Sequence, residues 1–208
     1  MIALENVRAA LALTDFDSVA AQRRMAPQPR TLQRSSALPG KPRQASVLVL
    51  LYPGVSGLAL VLTQRTENER DVHSGQISLP GGSRENQETP LETALRETRE
   101  EIGFDGEIEI LGSLAKLYIP PSDFDVYPFV GAVPYLPVFQ PDPREVHAIL
   151  EFPLSWLLDD EHKVIEDWNY NGFQMRVPWY NVHDHRVWGA TAIILSEFEQ
   201  RLHTVLSL

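Results

Sequence analysis

Short apolar runs rich in Leu and Val occupy the middle of the chain and predict buried β-strands. The first two are "SVLVLLY" (46–52) and "LALVLTQR" (58–65), separated by the turn sequence "GVSG". The stretches "EIEILGSLAKLYI" (107–119) and "VYPFVGAVPY" (126–135) predict further strands. The sequence "VIEDWNYNGFQMRVPWY" (164–180) predicts a hairpin, because Asn171-Gly172 suits a type I′ turn.

Amphipathic helices are predicted at both ends of the chain. Residues 1–25 have helical periodicity, and "WGATAIILSEFEQRLHTVL" (188–206) is the last element. The segment "APQPRTLQRSSALPGKPRQ" (26–44) is rich in Pro, Ser and Arg and is typical of a linker or wrapping loop. We therefore expect an N-terminal helix and linker extension, 1–44, followed by a regular domain, 45–208. Strands interleaved with helices indicate an α/β or α+β sandwich.

A central helix has clear start and stop signals. Thr89 is suited to be its N-cap, Pro90 its first residue, and Glu92 completes a Thr-x-x-Glu capping box. Gly103 suits the left-handed residue that follows a helix. The helix is therefore predicted to run from Pro90 to Ile102.

The two faces of this helix differ in chemistry. At about 100° per residue, one arc consists of Leu91, Ala94, Leu95, Thr98 and Ile102. The other arc consists of Glu97, Glu100 and Glu101. Arg96 lies one turn before Glu100 and can hydrogen-bond it. Thr98 needs a partner for its hydroxyl, such as the carbonyl of Ala94.

Glutamates crowded on one helix face have two explanations. Like charges at neighbouring helix positions repel, and on a solvated acidic face water screens them. Alternatively, the carboxylates are hard oxygen ligands for Mg²⁺ or Mn²⁺, ions that also bind phosphate oxygens. The choice depends on residues outside the helix.

Composition and charge narrow the classes of function. The 208 residues are enough for one sizeable core, and the absence of Cys excludes disulfides and thiolate metal sites. No apolar run reaches the length of a membrane span, and the N-terminus lacks the basic lead of a signal peptide. We therefore expect a cytoplasmic location and no membrane partner. The net charge of −10 argues against a nucleic-acid partner. It does not argue against a phosphorylated small substrate, because a bound metal can reverse the local field.

The residues around the central helix follow a specific spacing. "LPGGSRENQE" precedes the helix, and its two glycines let the backbone approach a ligand closely. The spaced residues are Gly82, Glu88, Arg96-Glu97, Glu100-Glu101 and Gly103. A chance match at all of these positions is of the order of 10⁻⁸ per window. The pattern resembles the Nudix box, the signature of the Nudix hydrolases. Thr98 is the one departure, since that family prefers an aliphatic residue there.

The resemblance implies a fold, a cofactor and a set of site residues. The fold would be an α/β/α sandwich with a mixed β-sheet, here with an N-terminal helical extension. The cofactor would be Mg²⁺ or Mn²⁺, bound to the diphosphate of the substrate. The implied metal ligands are Glu97, Glu100, Glu101 and the carbonyl of Gly82 or Gly81. The implied catalytic residues are Glu100, Arg96, Glu88 and Glu145. In this scheme Arg96 orients a glutamate and Glu88 braces the loop. Glu145 lies where many Nudix enzymes carry a further metal ligand or a general base, and the alternative is an exposed loop carboxylate.

The segment before the two glycines resembles the coenzyme A pyrophosphatase subgroup of that family. The matching residues are Leu62, Thr63, Arg65, Gly75, Gln76, Pro80, Gly81 and Gly82. Thr66 and Leu79 depart from the subgroup pattern, and one extra residue before Gly75 moves Arg70 out of register.

The resemblance also implies substrate contacts. Gly81 and Gly82 would approach the substrate, and Arg65 and Arg70 are candidates for binding the 3′-phosphate of coenzyme A. The alternative for each arginine is a surface pair with a nearby glutamate.

The implied reaction is hydrolysis of a nucleoside diphosphate linked to another moiety. Coenzyme A or its derivatives would give 3′,5′-ADP and a 4′-phosphopantetheine product. Alternative substrates are ADP-ribose, a dinucleotide or an oxidised nucleotide. An alternative of a different class is a non-catalytic nucleotide sensor. The intact set of glutamates argues against this alternative.

Other polar and aromatic features have simpler explanations. "HDHR" (183–186) resembles a metal tripod, but a tight turn between a strand and a helix is favoured, because Mg²⁺ prefers oxygen ligands and the spacing is too short for a shared tetrahedral site. The four tryptophans favour packing over a base-stacking platform. The sequence is compatible with a homodimer, and it leaves open whether the N-terminal helix packs on its own domain.

Overall fold

The computed structural model describes residues 2–29, 34, 38–66, 75–170 and 172–207. The helices are α1 (Leu4–Leu11), α2 (Ser18–Arg23), α3 (Pro90–Ile102) and α4 (Gly189–Leu206). The strands are β1 (Arg43–Gly54), β2 (Gly57–Arg65), β3 (Ile77–Ser78), β4 (Gly81–Ser83), β5 (Glu109–Ser113), β6 (Leu117–Ile119), β7 (Phe124–Ala132), β8 (Val146–Pro153), β9 (Lys163–Tyr170), β10 (Phe173–Val182) and β11 (His185–Val187). Short 3₁₀ helices cover Pro120–Ser122, Leu154–Leu158 and Asp160–His162.

An eight-stranded mixed sheet forms the centre of the fold. Its main path is β3-β2-β1-β7-β5, and β4, β6 and β8 pair with β1, β7 and β2, respectively. The β1–β7 pair is parallel and the other described pairs of this sheet are antiparallel. Strands β9, β10 and β11 form a separate antiparallel sheet. The predicted mixed sheet is confirmed, although its strands β3, β4 and β8 were not predicted.

The two faces of the central sheet bury different cores, because successive strand residues point to opposite faces. On β1, Leu48, Leu50 and Tyr52 join one apolar cluster with Ala94 and Ile102 of α3. The alternate β1 residues Val49 and Leu51 join the second cluster with Ile193, Leu195 and Phe198 of α4. Helices therefore cover both faces, and the predicted α/β/α sandwich is confirmed.

The first 25 residues form two short helices instead of one. Helix α1 ends at Leu11, and α2 begins anew with the side chain of Asp17 accepting the N–H of Ala20 at 2.9 Å. Both helices pack on α4 of the same chain, and Val7 and Ala10 of α1 are fully buried in its core. The boundary between residues 44 and 45 stays a prediction, and β1 itself begins at Arg43.

A buried polar cluster fastens these helices to α4. The carboxylate of Glu197, fully buried, accepts hydrogen bonds from the Ser18 hydroxyl at 3.0 Å and from Gln22 Nε2 at 2.9 Å. Arg201 Nε donates to Glu197 at 3.0 Å, and its Nη1 donates to the carbonyl of Ala10 at 3.3 Å. The N-terminal helices are thus hydrogen-bonded to the last helix as well as packed on it.

The predicted hairpin is confirmed as β9 and β10, which pair from Tyr170 opposite Phe173. Asn171 lies outside the described residues, so the turn type stays a prediction. "HDHR" forms a tight turn between β10 and β11, with φ of 50° at His183 and 65° at Asp184. The turn interpretation is therefore confirmed, although the turn joins two strands and not a strand and a helix.

Candidate active site

Helix α3 begins and ends where its sequence predicts. The Thr89 hydroxyl accepts the N–H of Glu92 at 3.3 Å, and Glu92 Oε2 accepts the N–H of Thr89 at 2.7 Å. Gly103 has the left-handed φ of 61° that closes the helix. The Thr98 hydroxyl donates to the carbonyl of Ala94 at 2.7 Å, as expected.

Strand β4 lies between β1 and helix α3, and its two glycines, Gly81 and Gly82, make this close approach possible because they have no side chains. Gly81 has a φ of 152°, and a Cβ there would lie 2.3 Å from the carbonyl oxygen of Ser46 on β1. A Cβ on Gly82 would lie 2.4 Å from the carboxylate of Glu97 on α3. Both positions therefore require glycine. A Cβ at Gly81 would clash with the backbone of β1, and a Cβ at Gly82 would clash with Glu97, a predicted metal ligand.

The three glutamates of α3 have different surroundings. The helical periodicity had placed all three on one face and gave no difference between them in burial. Only 3% of Glu101 is exposed, whereas 58% of the Glu100 side chain is exposed. Glu101 Oε2 accepts the N–H of Gly81 at 3.0 Å. Burial raises the pKa of Glu101 to about 7 and also raises the pKa of Glu97. A solvated acidic face is therefore the wrong description for Glu97 and Glu101.

Arg96 joins the loop before α3 to the glutamates on it. Its Nε and Nη2 donate to the two oxygens of Glu88 at 2.7 and 3.2 Å, a bidentate pair. Its Nη1 donates to Glu97 at 3.0 Å and to Glu100 at 2.8 Å, so the predicted contact with Glu100 is confirmed. Its Nη2 also donates to the carbonyl of Ser83 at 3.0 Å.

Glu88 braces the loop in the way expected of it. One of its oxygens accepts the N–H of Glu85 at 3.1 Å and the hydroxyl of Thr93 at 3.0 Å. The hydrogen bond from Arg96 lowers the pKa of Glu88 to about 2. Thr93 was not predicted to take part. Its place at the end of the first turn of α3, facing back to the loop, is the signal that could have indicated it.

Arg65 and Glu145 approach the same glutamates from other elements. Arg65 Nη1, at the end of β2, lies 3.5 Å from Glu101 Oε1. Glu145 is exposed in the turn before β8, and its charge contributes to the raised pKa values of Glu97 and Glu101. Arg70 lies outside the described residues, and its predicted role stays a prediction.

The structure thus gathers most of the predicted site residues around α3 and the loop before it. In the part of the chain that it describes, no three acidic or histidine side chains already surround one point. Glu97 and Glu100 instead share the Arg96 guanidinium, and Glu101 faces Gly81 and Arg65. The metal-ligand roles of these glutamates therefore stay predictions.

Across the described ranges, no helix combines the length and the apolar character needed to cross a membrane. The cytoplasmic location and the homodimer stay predictions.

Comparison with known proteins identifies relatives of the chain. The NUDIX domain family matches residues 42–171. Nudix hydrolase 22, chloroplastic, and Nudix hydrolase 15, mitochondrial, of Arabidopsis thaliana are 33% and 32% identical over 163 residues, 74% of this chain. The chain spans only 54% and 57% of the length of these plant relatives. The mitochondrial coenzyme A diphosphatase NUDT8 of Homo sapiens is 33% identical over 172 residues, 81% of this chain and 72% of that protein.

A solved structure supports the fold. The crystal structure of the Nudix hydrolase RenU from M. smegmatis has a TM-score of 0.52 at 18% identity, covering 81% of this chain and 88% of its own. The family match extends from just before β1 to the end of β9 and includes the whole of α3 with the loop before it. On this match the chain belongs to the Nudix hydrolase family.

Proposed function

We propose that the protein is a Mg²⁺- or Mn²⁺-dependent pyrophosphatase that hydrolyses a nucleoside diphosphate linked to another moiety. The observation that carries the proposal is that the buried Glu101 and the partly buried Glu97 lie against the Gly81-Gly82 strand. Buried carboxylates are costly unless a positive charge compensates them. A site of this kind gains from binding a divalent cation.

The donor set fits such a cation. Carboxylate and carbonyl oxygens are the ligands that Mg²⁺ and Mn²⁺ prefer. The groups that would hold the ion are Glu97, Glu100, Glu101 and the carbonyl of Gly82. A bound ion would neutralise the diphosphate and lower the pKa of the attacking water.

The remaining residues orient these ligands and the substrate. Arg96, fixed by its bidentate pair with Glu88, holds Glu97 and Glu100 in place. Glu145 is exposed near Glu97 and Glu101, where it can accept a proton from water. Arg65, whose Nη1 lies 3.5 Å from Glu101 Oε1, would contact a phosphate oxygen of the diphosphate from the edge of the site.

We infer coenzyme A and its derivatives as the preferred substrates. The human relative named a coenzyme A diphosphatase supports this choice. The residues Leu62, Thr63, Arg65, Gly75, Gln76 and Pro80, which resemble the coenzyme A subgroup, support it independently. The products would be 3′,5′-ADP and a 4′-phosphopantetheine.

A substrate panel tests the proposal. Purified protein with Mg²⁺ or Mn²⁺ is incubated with coenzyme A, ADP-ribose, NADH, diadenosine polyphosphates and 8-oxo-dGTP, and the products are separated by chromatography. We expect cleavage of coenzyme A at the diphosphate, lost on adding EDTA. Cleavage of ADP-ribose with coenzyme A intact would overturn the substrate. No cleavage of any compound with either metal, combined with nucleotide binding, would indicate a non-catalytic sensor.

The matched control is Glu107→Gln, which changes an exposed glutamate just beyond α3. Its activity should equal that of the wild type, whereas Glu97→Gln should be nearly inactive. Equal activity of the wild type and the Glu97→Gln variant would contradict the role of Glu97.

A further inference from the structure

An open cleft of about 490 Å³ adjoins the Gly81-Gly82 strand. Its volume is within the range of small-molecule sites. It is lined by Arg43, Gln44, Ser83, Arg84, Asn86, Gln87 and Phe124. None of the site residues predicted from the sequence lies among these.

The cleft is cationic in a strongly acidic chain. Both of its charged lining residues, Arg43 and Arg84, are arginines, although the net charge of the chain is −10. The neighbouring carboxylate of Asp123 is already bound by Arg34, through two hydrogen bonds of 2.7 and 2.8 Å. The chemistry of the cleft therefore favours an anion with hydrogen-bonding groups around it.

The hydrogen bonds and the ring contact that hold the two arginines involve neutral groups, and the charge of Arg43 also acts on the nearby Asp123. The Arg43 guanidinium lies 4.1 Å above the ring of Phe124 and donates to the carbonyl of Ser122 at 3.0 Å. The backbone N–H of Arg84 donates to the carbonyl of Gln44 at 2.9 Å, and its guanidinium donates to the Gln44 side chain. A guanidinium has five N–H groups, so these contacts leave donors for a ligand.

The wall of the cleft is linked to the proposed metal site through Ser83. Ser83 lines the cleft and directly follows Gly82, and the carbonyl of Ser83 accepts a hydrogen bond from Arg96 at 3.0 Å. Glu88, which holds Arg96, also accepts the backbone N–H of Glu85, and Glu85 lies in the sequence between the lining residues Arg84 and Asn86. The same Glu88–Arg96 pair thus fixes the wall of the cleft and the glutamates of α3.

We propose that this cleft binds an anionic group that lies outside the scissile diphosphate, namely a phosphate on the ribose of the substrate. Arg43 and Arg84 are the specificity residues that bind it. The inference rests on the proposed function for the position of the diphosphate. It places the 3′-phosphate contact at Arg43 and Arg84 instead of at Arg65, which lies beside Glu101 in the proposed metal site.

Kinetics with and without the extra phosphate test the inference. The value of kcat/KM is measured for coenzyme A and for dephospho-coenzyme A, which lacks only the 3′-phosphate. The variants are Arg43→Gln and Arg84→Gln, and the control is Arg99→Gln, an exposed arginine of α3 that pairs with Asp105. We expect each cleft variant to lose about tenfold on coenzyme A and little on dephospho-coenzyme A. Equal losses on both substrates, or no loss on either, would overturn the proposal.

A binding measurement separates this inference from the proposed function. Titration calorimetry compares 3′,5′-ADP with 5′-AMP, which differ by one phosphate, in the wild type and in Arg84→Gln. Tighter binding of 3′,5′-ADP that is lost in the variant supports the cleft even if no substrate is hydrolysed. Equal affinities for the two nucleotides in the wild type would overturn the cleft assignment even if coenzyme A is cleaved.

Discussion

Replacing Gly82 with Ala tests whether the Gly-Gly strand sets the position of Glu97. The added Cβ would lie 2.4 Å from the Glu97 carboxylate, and tolerated contacts begin near 3.0 Å. The carboxylate must therefore retreat by at least about 0.6 Å, which also disturbs its 3.0 Å contact with Arg96. It is the end of a flexible side chain, so the free energy of unfolding should fall by less than about 1 kcal/mol. A displacement of about 1 Å at a catalytic centre can cost about 100-fold in rate.

Steady-state hydrolysis, Mg²⁺ titration and thermal melting measure the two effects separately. Gly82→Ala should melt close to the wild type while kcat/KM falls about 100-fold and more Mg²⁺ is needed. Gly81→Ala is the comparison, because its Cβ would meet the Ser46 carbonyl oxygen at 2.3 Å and its φ is 152°. That variant should lose stability. Wild-type activity and metal affinity in a folded Gly82→Ala protein would refute the reasoning that Glu97 binds the metal beside Gly82.

Three further predictions concern the glutamates and the N-terminal helices. Glu100→Gln should lower kcat by about 100-fold. The melting temperature should stay unchanged, because the Glu100 side chain is 58% exposed. Near-normal turnover would remove Glu100 from the site. In metal-free protein the pKa of Glu101 is raised from 4.5 to about 7, so folded stability falls as pH rises through this window and stays low above it. The melting-temperature advantage of Glu101→Gln should therefore grow between pH 5 and pH 8 and disappear on adding Mg²⁺, and a pH-independent difference would contradict the burial argument. Arg201→Met should lower the free energy of unfolding by about 3 kcal/mol in chemical denaturation, because it leaves the fully buried Glu197 without its cation. A loss below about 1 kcal/mol would show that this pair does not hold the N-terminal helices.

Local signals in the sequence were sufficient for the central helix and for most strands. The capping box of Thr89 and Glu92 and the left-handed Gly103 are interactions within a few residues, so their geometry follows from the local sequence. Strand β8 was not predicted, because its run "VHAILEFP" (146–153) lacks strict alternation of apolar and polar residues, although the turn sequence "PDP" (141–143) stands just before it. The prediction joined two periodic segments into one helix and passed over Asp17, whose side chain caps the start of α2.

The sequence by itself determined the spacing of the glycines, glutamates and arginine that identify the family, and the helix that carries them. The tertiary structure alone decided that Glu101 is buried against Gly81 while Glu100 faces water. It also decided that Arg65 meets Glu101 and that Arg43 and Arg84 line one cleft. The reason is physical: a residue's place on a helix follows from its position in the chain, whereas its burial, its pKa and its charged neighbours depend on which distant elements pack against it.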